Sequence, residues 1–292
     1  MTLEDFRSTR TRLRPEDFAI SEGLEVPPSE LISEDTWKSI TSLPDDVSVR
    51  TSDHYGETLT LLWNLCGQWS CVVGGLQATV AEPKDSPIAH AACDATDFFQ
   101  ASIYNALIGY YRLGYASLRA VVENLTFGMA FQLTANQQGF ADWLRGEEIS
   151  FNEYAMLVSK HPKIAPLEQS LLAATGDNLY RERKPSDAGG FVRRLFKHLS
   201  KYAHGIPGKT EGDIWQSNGP ILVPTAFEAW SECYLTVYAL AVLQCRLAQP
   251  ALDKLPWEAS FTAKGPFCHA VQLLPTTSEA RRLFDAVPPS IW

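Results

Sequence analysis

The sequence predicts an all-α protein: a helical bundle of about four long helices with extra short helices. The first observation is the apolar segment of residues 88–134, which contains no proline. The second is the apolar segment "TAFEAWSECYLTVYALAVLQCRL" at residues 225–247. The third is the composition, since 45% hydrophobic and 20% charged residues in 292 are typical of a globular chain with a sizeable core.

The chain divides into three predicted regions. Residues 1–50 mix charges and prolines and predict an N-terminal arm with short helices, the clearest being "SEDTWKSITSL". Residues 51–249 are the predicted bundle core. Residues 250–292 hold six of the eighteen prolines and predict an irregular C-terminal tail that packs on the core, with a short strand at "HAVQLL".

Two long apolar segments form the predicted centre of the bundle. The segment that follows Ser52 predicts a buried helix broken near Gly74 and Gly75. Residues 88–134 predict one long core helix, or two helices in line with a kink near Gly109 or Gly114.

Charged residues of the 88–134 segment share one side of the predicted continuous helix. At about 100° per residue, all of them fall within an arc of roughly 80°. They are His90, Asp94, Asp97, Arg112, Arg119 and Glu123. The pattern predicts a narrow polar stripe on an otherwise apolar helix.

Shorter helices follow with recognisable start and stop signals. "SFNEYAMLVSK" opens with a predicted capping box of Ser150 and Glu153, and "APLEQSLLAATG" closes on Gly176. A second capping box, Thr225 with Glu228, predicts the start of the last core helix.

The overall charge limits the classes of partner. A net charge of −9 disfavours diffuse binding to nucleic acid or to an anionic membrane, so any phosphate site must be local. The start of the chain lacks the apolar region of a signal peptide, and no apolar run reaches the roughly 20 residues of a transmembrane helix. We therefore expect a cytoplasmic protein. Its six cysteines lack CxxC spacing and predict free thiols, and no nucleotide-binding, hydrolase or zincin motif occurs.

One segment reverses the overall charge. Residues 181–209 contain eight basic and two acidic residues, a local net charge of +6. Its helix carries "RRLFKHLSKYAHG" at residues 193–205, with apolar residues on one face and basic residues on the other. The pattern fits either a solvated basic face or a local anion site. His204 lies in the last turn, where a helix C-terminus favours the imidazolium and hence proton donation.

A charge pair on the long apolar segment admits two interpretations. Arg119 and Glu123 are i, i+4 neighbours among apolar residues, so they can form a purely structural pair. If the polar stripe faces the basic helix, Glu123 and His204 form an acid and base pair beside Arg119 and Arg193. We expect Arg119, Glu123 and His204 to meet in a cleft between the two helices.

The long apolar helix with "LRAVVE" and the helix ending in "LSKYAHG" together resemble bacterial helical proteins akin to the HEPN superfamily. Over residues 90–245 that resemblance implies an α-helical, often dimeric protein, and metal-independent RNA cleavage in a toxin or antiphage defence system. The superfamily's R-x4-6-H motif matches Arg193 and His198, although Arg194 follows where a small polar residue is commoner.

These observations define the candidate site. The predicted catalytic residues are His204, His198, Arg193, Glu123 and Arg119, and the predicted phosphate ligands are Arg194, Lys197 and Lys201. Histidine and arginine supply the acid, base and cations that metal-independent RNA cleavage requires, so no cofactor and no metal is expected. The expected partners are RNA, a second copy of the chain and a possible partner protein of a defence operon.

Two other functional classes remain open. A non-catalytic interaction or sensor protein would use the basic helix to dock a partner. A metal enzyme would rest on the H-x3-D-x2-D spacing of His90, Asp94 and Asp97, but the sequence lacks the ExxH pairs typical of di-metal bundles.

Overall fold

The computed structural model describes residues 34–79, 85–181, 189–203, 219–250, 252 and 265–288. These residues contain α-helices and no strand, which confirms the all-α prediction. In chain order the helices are α1 (Glu34–Ala78), α2 (Pro87–Leu107), α3 (Tyr111–Thr134), α4 (Gln137–Leu144), α5 (Phe151–Lys160), α6 (Ala165–Thr175), α7 (Phe191–Ala203), α8 (Pro224–Ala248), α9 (Gly265–Leu273) and α10 (Glu279–Asp285). No helix in these ranges has the length and apolar character needed to cross a membrane.

The chain separates into two compact units, residues 1–45 and 46–292. In the first unit, the described residues 34–45 form the start of α1. That helix continues through Pro44 and bends at Tyr55, whose φ of −130° and ψ of 21° are not helical. The predicted break near Gly74 and Gly75 is wrong, because α1 runs on to Ala78.

The apolar segment of residues 88–134 forms two helices separated by a sharp turn. Gly109 adopts a φ of +82°, which lies in the left-handed region, and a Cβ at this position would lie 2.5 Å from the backbone nitrogen of Ile221. Only glycine combines that backbone conformation with so close an approach of another segment. The turn is at Gly109 as predicted, but it reverses the chain instead of kinking it.

Contacts along α2 and α3 show that the two helices are antiparallel. Near the turn, the Ser102 hydroxyl donates to the carbonyl of Gly114 at 3.0 Å. At the far end, the Ser86 hydroxyl lies 3.3 Å from the Gln132 side-chain oxygen. The prediction of one helix, or of two helices in line, is therefore wrong. A single polar stripe is wrong as well, because its members now lie on two helices that run in opposite directions.

The small residue Gly128 permits the close packing of this hairpin. A Cβ on Gly128 would lie 2.7 Å from the Cβ of Ala91 and 2.8 Å from the carbonyl oxygen of Pro87. Both atoms belong to the first turns of α2, where the backbone has little freedom to move. We expect Gly128→Ala to lower the free energy of unfolding by about 1–3 kcal/mol, because it overpacks the contact.

Gly74→Ala is the matched control for this substitution. Gly74 is an exposed glycine inside α1, and a Cβ there would meet nothing within 4 Å. Alanine should therefore raise the free energy of unfolding by about 0.5–1 kcal/mol through helix propensity. Urea denaturation followed by circular dichroism measures both changes. Equal effects of the two substitutions would contradict the close hairpin.

Helix α8 packs on this hairpin and carries much of the aromatic core. Its buried Tyr234 and Tyr238 pack against Phe99 of α2, and Tyr238 also packs against Trp69 of α1. The buried Trp230 packs against Tyr234 of the same helix. Helix α8 also packs against α3 and α9. The predicted strand at "HAVQLL" is wrong, because residues 269–273 belong to α9.

The helix ends test the predicted capping signals. Gly176 ends α6 in the left-handed conformation, with a φ of 74°, as predicted. Ser150 occupies the N-cap of α5, but its side chain makes no capping hydrogen bond. The capping box of Thr225 and Glu228 is wrong, because α8 begins at Pro224 with Val223 as its N-cap.

Candidate anion-binding site

Helix α7 is the basic helix, and its two faces follow the sequence pattern. Phe191, Val192, Leu199 and Tyr202 are buried, whereas Lys197 and Lys201 are exposed. The apolar face packs against α3. His204 lies outside the described residues, so its predicted meeting with Arg119 and Glu123 stays a prediction.

The guanidinium of Arg119 lies between α3 and α7. Its Nε donates to the Ser200 hydroxyl at 3.1 Å, and its Nη2 donates to Glu123 Oε1 at 3.2 Å. Its Cζ lies 4.8 Å from the ring centroid of Phe196, a cation–π contact. The Arg119 and Glu123 side chains are 25% and 24% exposed, so both remain within reach of solvent.

A cleft of about 420 Å³ opens beside the N-terminal half of α7. We call it the cationic cleft, because three basic side chains line it: Lys160 of α5, Arg181 and Arg193. Its other described lining residues are Met156, Ser159, Ala165 and Tyr180, none of them acidic. Ala165 is the first residue of α6, whose first turn also carries the buried carboxylate of Glu168.

Arg181 reaches the cleft because a buried carboxylate holds its backbone. Glu168 of α6 is 2% exposed and accepts hydrogen bonds from the backbone N–H groups of Tyr180 at 3.0 Å and Arg181 at 3.4 Å. Burial raises the pKa of Glu168, and these N–H donors oppose that rise. Glu168 therefore holds the backbone behind the cleft, and its carboxylate also interacts electrostatically with the charge of Arg181.

The first residues of α7 also form hydrogen bonds with the segment that precedes Arg181. The N–H groups of Phe191 and Val192 donate to the carbonyls of Asn178 and Leu179, each at 2.9 Å. These bonds satisfy donors that a helix N-terminus otherwise leaves without partners. A Cβ on Gly190 would lie 2.5 Å from the Leu179 carbonyl oxygen, so the contact requires glycine.

Arg193 is oriented by a neutral partner. Its Nε donates to the Asn152 side-chain oxygen at 3.1 Å, which links α7 to the first turn of α5. The Asn152 amide oxygen therefore helps to orient the guanidinium. The next residues along this side of α7, Lys197 and Lys201, are exposed at i+4 and i+8.

A second cleft, of about 470 Å³, lies on another side of α7. We call it the His198 cleft, and its lining includes Tyr115, Arg194, His198, Glu232 and Glu279. The His198 ring packs edge-on against Tyr202 at 5.3 Å and against Tyr115 at 6.2 Å between centroids. Those two tyrosines stack on each other at 4.2 Å.

Arg194 joins three parts of the chain. Its guanidinium contacts Asp177 at 2.5 Å, Glu279 of α10 at 2.6 Å and the Gly189 carbonyl at 2.7 Å. Burial alone would raise the pKa of Asp177, but the hydrogen bonds from Arg194 and from the Asn178 backbone N–H hold that pKa below its usual value. The phosphate-binding role predicted for Arg194 stays a prediction, and the guanidinium already contacts two carboxylates.

The two residues that match the R-x4-H spacing line different clefts, Arg193 the cationic cleft and His198 the His198 cleft. Five helical steps of about 100° separate them by roughly 140° around the axis, which accounts for the separation. The structure therefore does not bring Arg193 and His198 together. Their catalytic roles, like those of Arg119 and Glu123, stay predictions.

The metal alternative gains no support from the described part of the chain, where no group of three or more His, Cys, Asp or Glu side chains is placed to bind a metal ion. His90 packs edge-on against Phe140 at 5.6 Å. All six cysteines are free thiols, as the sequence predicts.

Sequence reasoning missed several residues that build the cationic cleft. Lys160 and Asn152 lie on α5, and the sequence gives no signal that Asn152 contacts α7 or that Lys160 lines a cleft with Arg193. Glu168 resembles an ordinary polar residue of an amphipathic helix until the fold buries it. Arg181 was counted in the local charge but not in the site. No family model, no curated protein and no solved structure matches this chain in the three comparisons with known proteins.

Proposed function

We propose that this protein binds RNA through a basic surface formed by Lys160, Arg181, Arg193, Lys197 and Lys201. The observation that carries the proposal is the cationic cleft, where side chains from α5, α7 and the segment before α7 converge in a chain of net charge −9. Such a local concentration of positive charge attracts polyanions although the protein as a whole is acidic.

Several features favour a phosphate polymer as the partner. Lys197 and Lys201 extend the positive charge along α7 beyond the cleft, as contacts to successive phosphates require. Arginine and lysine are the usual phosphate ligands, and Arg193 is held in place by Asn152. The resemblance to the HEPN superfamily supports RNA as the polymer and a toxin or antiphage defence system as the setting.

Binding is the part of this function that the geometry supports best. Cleavage needs an acid and a base near one phosphate, and Arg193 and His198 line different clefts. Metal-independent cleavage therefore depends on His204, which lies outside the described residues. RNA cleavage is therefore tested together with RNA binding.

The direct test is RNA binding measured by fluorescence polarisation as a function of salt. The wild-type protein should bind a short single-stranded RNA at low salt. The double variant Lys197→Gln with Lys201→Gln should bind more weakly, with the slope of log affinity against log salt reduced by about 0.7 for each lost phosphate contact. Arg50→Gln is the control, because Arg50 is an exposed arginine of α1, outside the basic surface. It should leave both affinity and slope unchanged.

Two outcomes of this titration contradict the proposal. The first is no binding of RNA by the wild type at low salt, and the second is an equal loss of affinity in the Arg50→Gln control. The same samples, incubated in EDTA and run on a denaturing gel, report cleavage. Product that appears with wild type and disappears in His204→Ala would extend the proposal from binding to catalysis.

One observation favours a second candidate, a non-catalytic interaction protein. Three large apolar side chains lie exposed around the hairpin turn: Tyr104 at the end of α2, Leu113 at the start of α3, and Ile221 beside Gly109. Apolar side chains grouped on a surface are typical of protein interfaces. We propose that this end of the hairpin contacts a second copy of the chain or a partner protein, a role compatible with RNA binding on α7.

A further inference from the structure

We propose that one side of α1 between Gly56 and Ala78 is the contact surface for a second copy of this chain, packed antiparallel about a two-fold axis. We call this surface the α1 face. At about 100° per residue its members fall within an arc of roughly 80°. They are Gly56, Thr60, Trp63, Gly67, Ser70 and Gly74. The inference goes beyond RNA binding and does not depend on it.

The α1 face is the outer side of a helix whose inner side is fixed in the core. All of its members are exposed except Gly56, which is half-buried. On the inner side, Leu62, Leu65 and Trp69 are fully buried. The Trp69 Nε1 also donates to the carbonyl of Ala92 in α2 at 3.0 Å. A partner can therefore dock on the outer side without any rearrangement of the helix.

This side of α1 carries no charge, although the protein is acidic. No Asp, Glu, Lys, Arg or His occurs from Thr58 to Ala78, whereas 20% of the whole chain is charged. A solvated helix face normally carries charged residues, and the core of a protein interface is depleted in them. Two copies with a net charge of −9 each repel one another, so they meet at the lowest electrostatic cost through an uncharged surface. The lack of charge therefore fits a second copy better than a partner attracted by opposite charge.

An exposed tryptophan lies near the middle of the α1 face. Trp63 has 56% of its surface exposed. Tryptophan is enriched among the residues that contribute most to binding, where its ring fills a recess on the partner. A glycine on a helix provides such a recess, because no side chain separates the backbone from an approaching ring.

Two glycines of the α1 face have no packing reason inside the described part of the chain. A Cβ on Gly67 or Gly74 would meet no described atom within 4 Å. By contrast, a Cβ on Gly114 or Gly128 would lie within 3.0 Å of atoms of a neighbouring helix. Glycine inside a helix is less stable than alanine, so its presence needs a close approach by another segment. A second copy of α1 supplies that approach.

An antiparallel two-fold arrangement makes the α1 face complementary to itself. Trp63 and Gly67 lie about one turn apart, so an axis midway between them places the Trp63 ring of each copy over Gly67 of the other. The same axis brings together the remaining members, Gly56 with Gly74 and Thr60 with Ser70. The Thr60 hydroxyl donates to the Gly56 carbonyl of its own helix at 2.8 Å, so it enters the contact already satisfied.

A parallel arrangement would lose this complementarity. It would set the two Trp63 rings against each other and leave the two Gly67 residues without a ring. It would also bring the two Glu57 carboxylates together and align the helix dipoles. The antiparallel arrangement avoids these contacts.

The size of the α1 face indicates a reversible dimer. The helix from Thr58 to Ala78 spans about 30 Å and is about 10 Å wide. One helix pair of this size lies at the low end of specific interfaces, so we expect a dissociation constant on the order of 10 µM. The monomer is then stable on its own in more dilute protein.

The experiment is sedimentation equilibrium from about 1 to 200 µM protein. Wild type should change from the 32.4 kDa monomer to a dimer over this range. Trp63→Ala should raise the dissociation constant about tenfold or more. Gly67→Trp should do the same, because two rings would then occupy one space. The double variant Trp63→Ala with Gly67→Trp should recover much of the affinity, because each new ring faces the small side chain at position 63 of the other copy.

The control is Tyr104→Ala, which truncates an exposed ring at the hairpin turn. It should leave the dissociation constant unchanged, with the hairpin end left to a partner protein. Trp63 and Gly67 are exposed, so their variants should keep the fold of the monomer. Circular dichroism at about 1 µM, where the wild type is monomeric, checks this.

Each alternative outcome overturns a defined part of the inference. A wild type that stays monomeric at 200 µM overturns the dimer. A dimer that persists unchanged in both Trp63→Ala and Gly67→Trp overturns its assignment to α1, and loss of that dimer in Tyr104→Ala assigns it to the hairpin end. A double variant weaker than both single variants overturns the antiparallel register. RNA binding is measured separately by its salt dependence, so none of these results decides it.

Discussion

Replacing Trp230 by alanine should lower the free energy of unfolding by about 3–5 kcal/mol. Trp230 is fully buried in α8, and its Nε1 donates to the Ser102 hydroxyl of α2 at 3.0 Å. The indole also fills the space over Gly114, where a Cβ would lie 3.0 Å from Nε1. Truncation therefore removes a large apolar side chain, opens a cavity and leaves a buried hydroxyl with one partner fewer.

Trp63→Ala is the matched control, because Trp63 lies in α1 with 56% of its surface exposed. Its truncation should change the free energy of unfolding by no more than about 0.5 kcal/mol. Trp230→Phe keeps a ring but loses the indole N–H, and should cost about 1–2 kcal/mol. Urea titrations provide the three values. A cost for Trp230→Ala no larger than that for Trp63→Ala would contradict the position of α8 on the hairpin.

The parts of the fold that were predictable from sequence are those that depend on local spacing. Helix periodicity separates the buried Leu199 and Tyr202 from the exposed Lys197 and Lys201 because all four lie within two turns. The glycine at the end of α6 was predictable for the same reason, since a left-handed residue after a helix is a local requirement.

The reversal at Gly109 was not predictable from periodicity. A glycine inside an apolar segment is compatible with a continuous helix, a kink or a turn, and the local sequence does not decide among them. The choice depends on contacts from elsewhere in the chain, such as Ile221 beside Gly109 and Ala91 against Gly128. The prediction of a single polar stripe was wrong for the same reason, because its angles were calculated for one continuous helix.

The candidate site shows the same division between local and distant contacts. That Arg193 and His198 lie on different sides of α7 follows from helix geometry, since residues five apart do not share a face. That Arg193 lines the same cleft as Lys160 and Arg181 depends on the packing of α5 and on the hydrogen bonds between α7 and residues 178 and 179. The cationic cleft is therefore a product of tertiary structure, and sequence alone indicated only its excess of charge.

Arg194→Ala should lower the free energy of unfolding by about 2–3 kcal/mol at neutral pH, because it leaves the Asp177 carboxylate without its cation. The Asp177 side chain is only 12% exposed, so solvent replaces the lost hydrogen bonds incompletely. The substitution also removes the salt bridge that links α7 to Glu279 of α10. Lys201→Ala, which removes an exposed cation of the same helix, should change the stability by no more than about 0.5 kcal/mol.

The effect of Arg194→Ala should depend on pH in a defined direction. Arg194 and the Asn178 N–H hold the pKa of folded Asp177 below its usual value, so the unfolded chain binds this proton more tightly. The stability contributed by Asp177 is therefore present above its unfolded pKa and is lost as pH falls from there through its folded pKa. The free energy of unfolding of the wild type should fall over this pH range, and that of Arg194→Ala should fall less. The two free energies of unfolding should therefore converge at acidic pH.

The same variant separates a structural role of Arg194 from a phosphate-binding role. RNA binding by Arg194→Ala is measured under conditions where circular dichroism shows that the protein is still folded. If Arg194 serves to hold Asp177 and Glu279, the affinity and its salt dependence should match those of the wild type. A weaker affinity with a smaller salt slope in the folded variant would instead establish Arg194 as a phosphate ligand, because a lost phosphate contact reduces that slope.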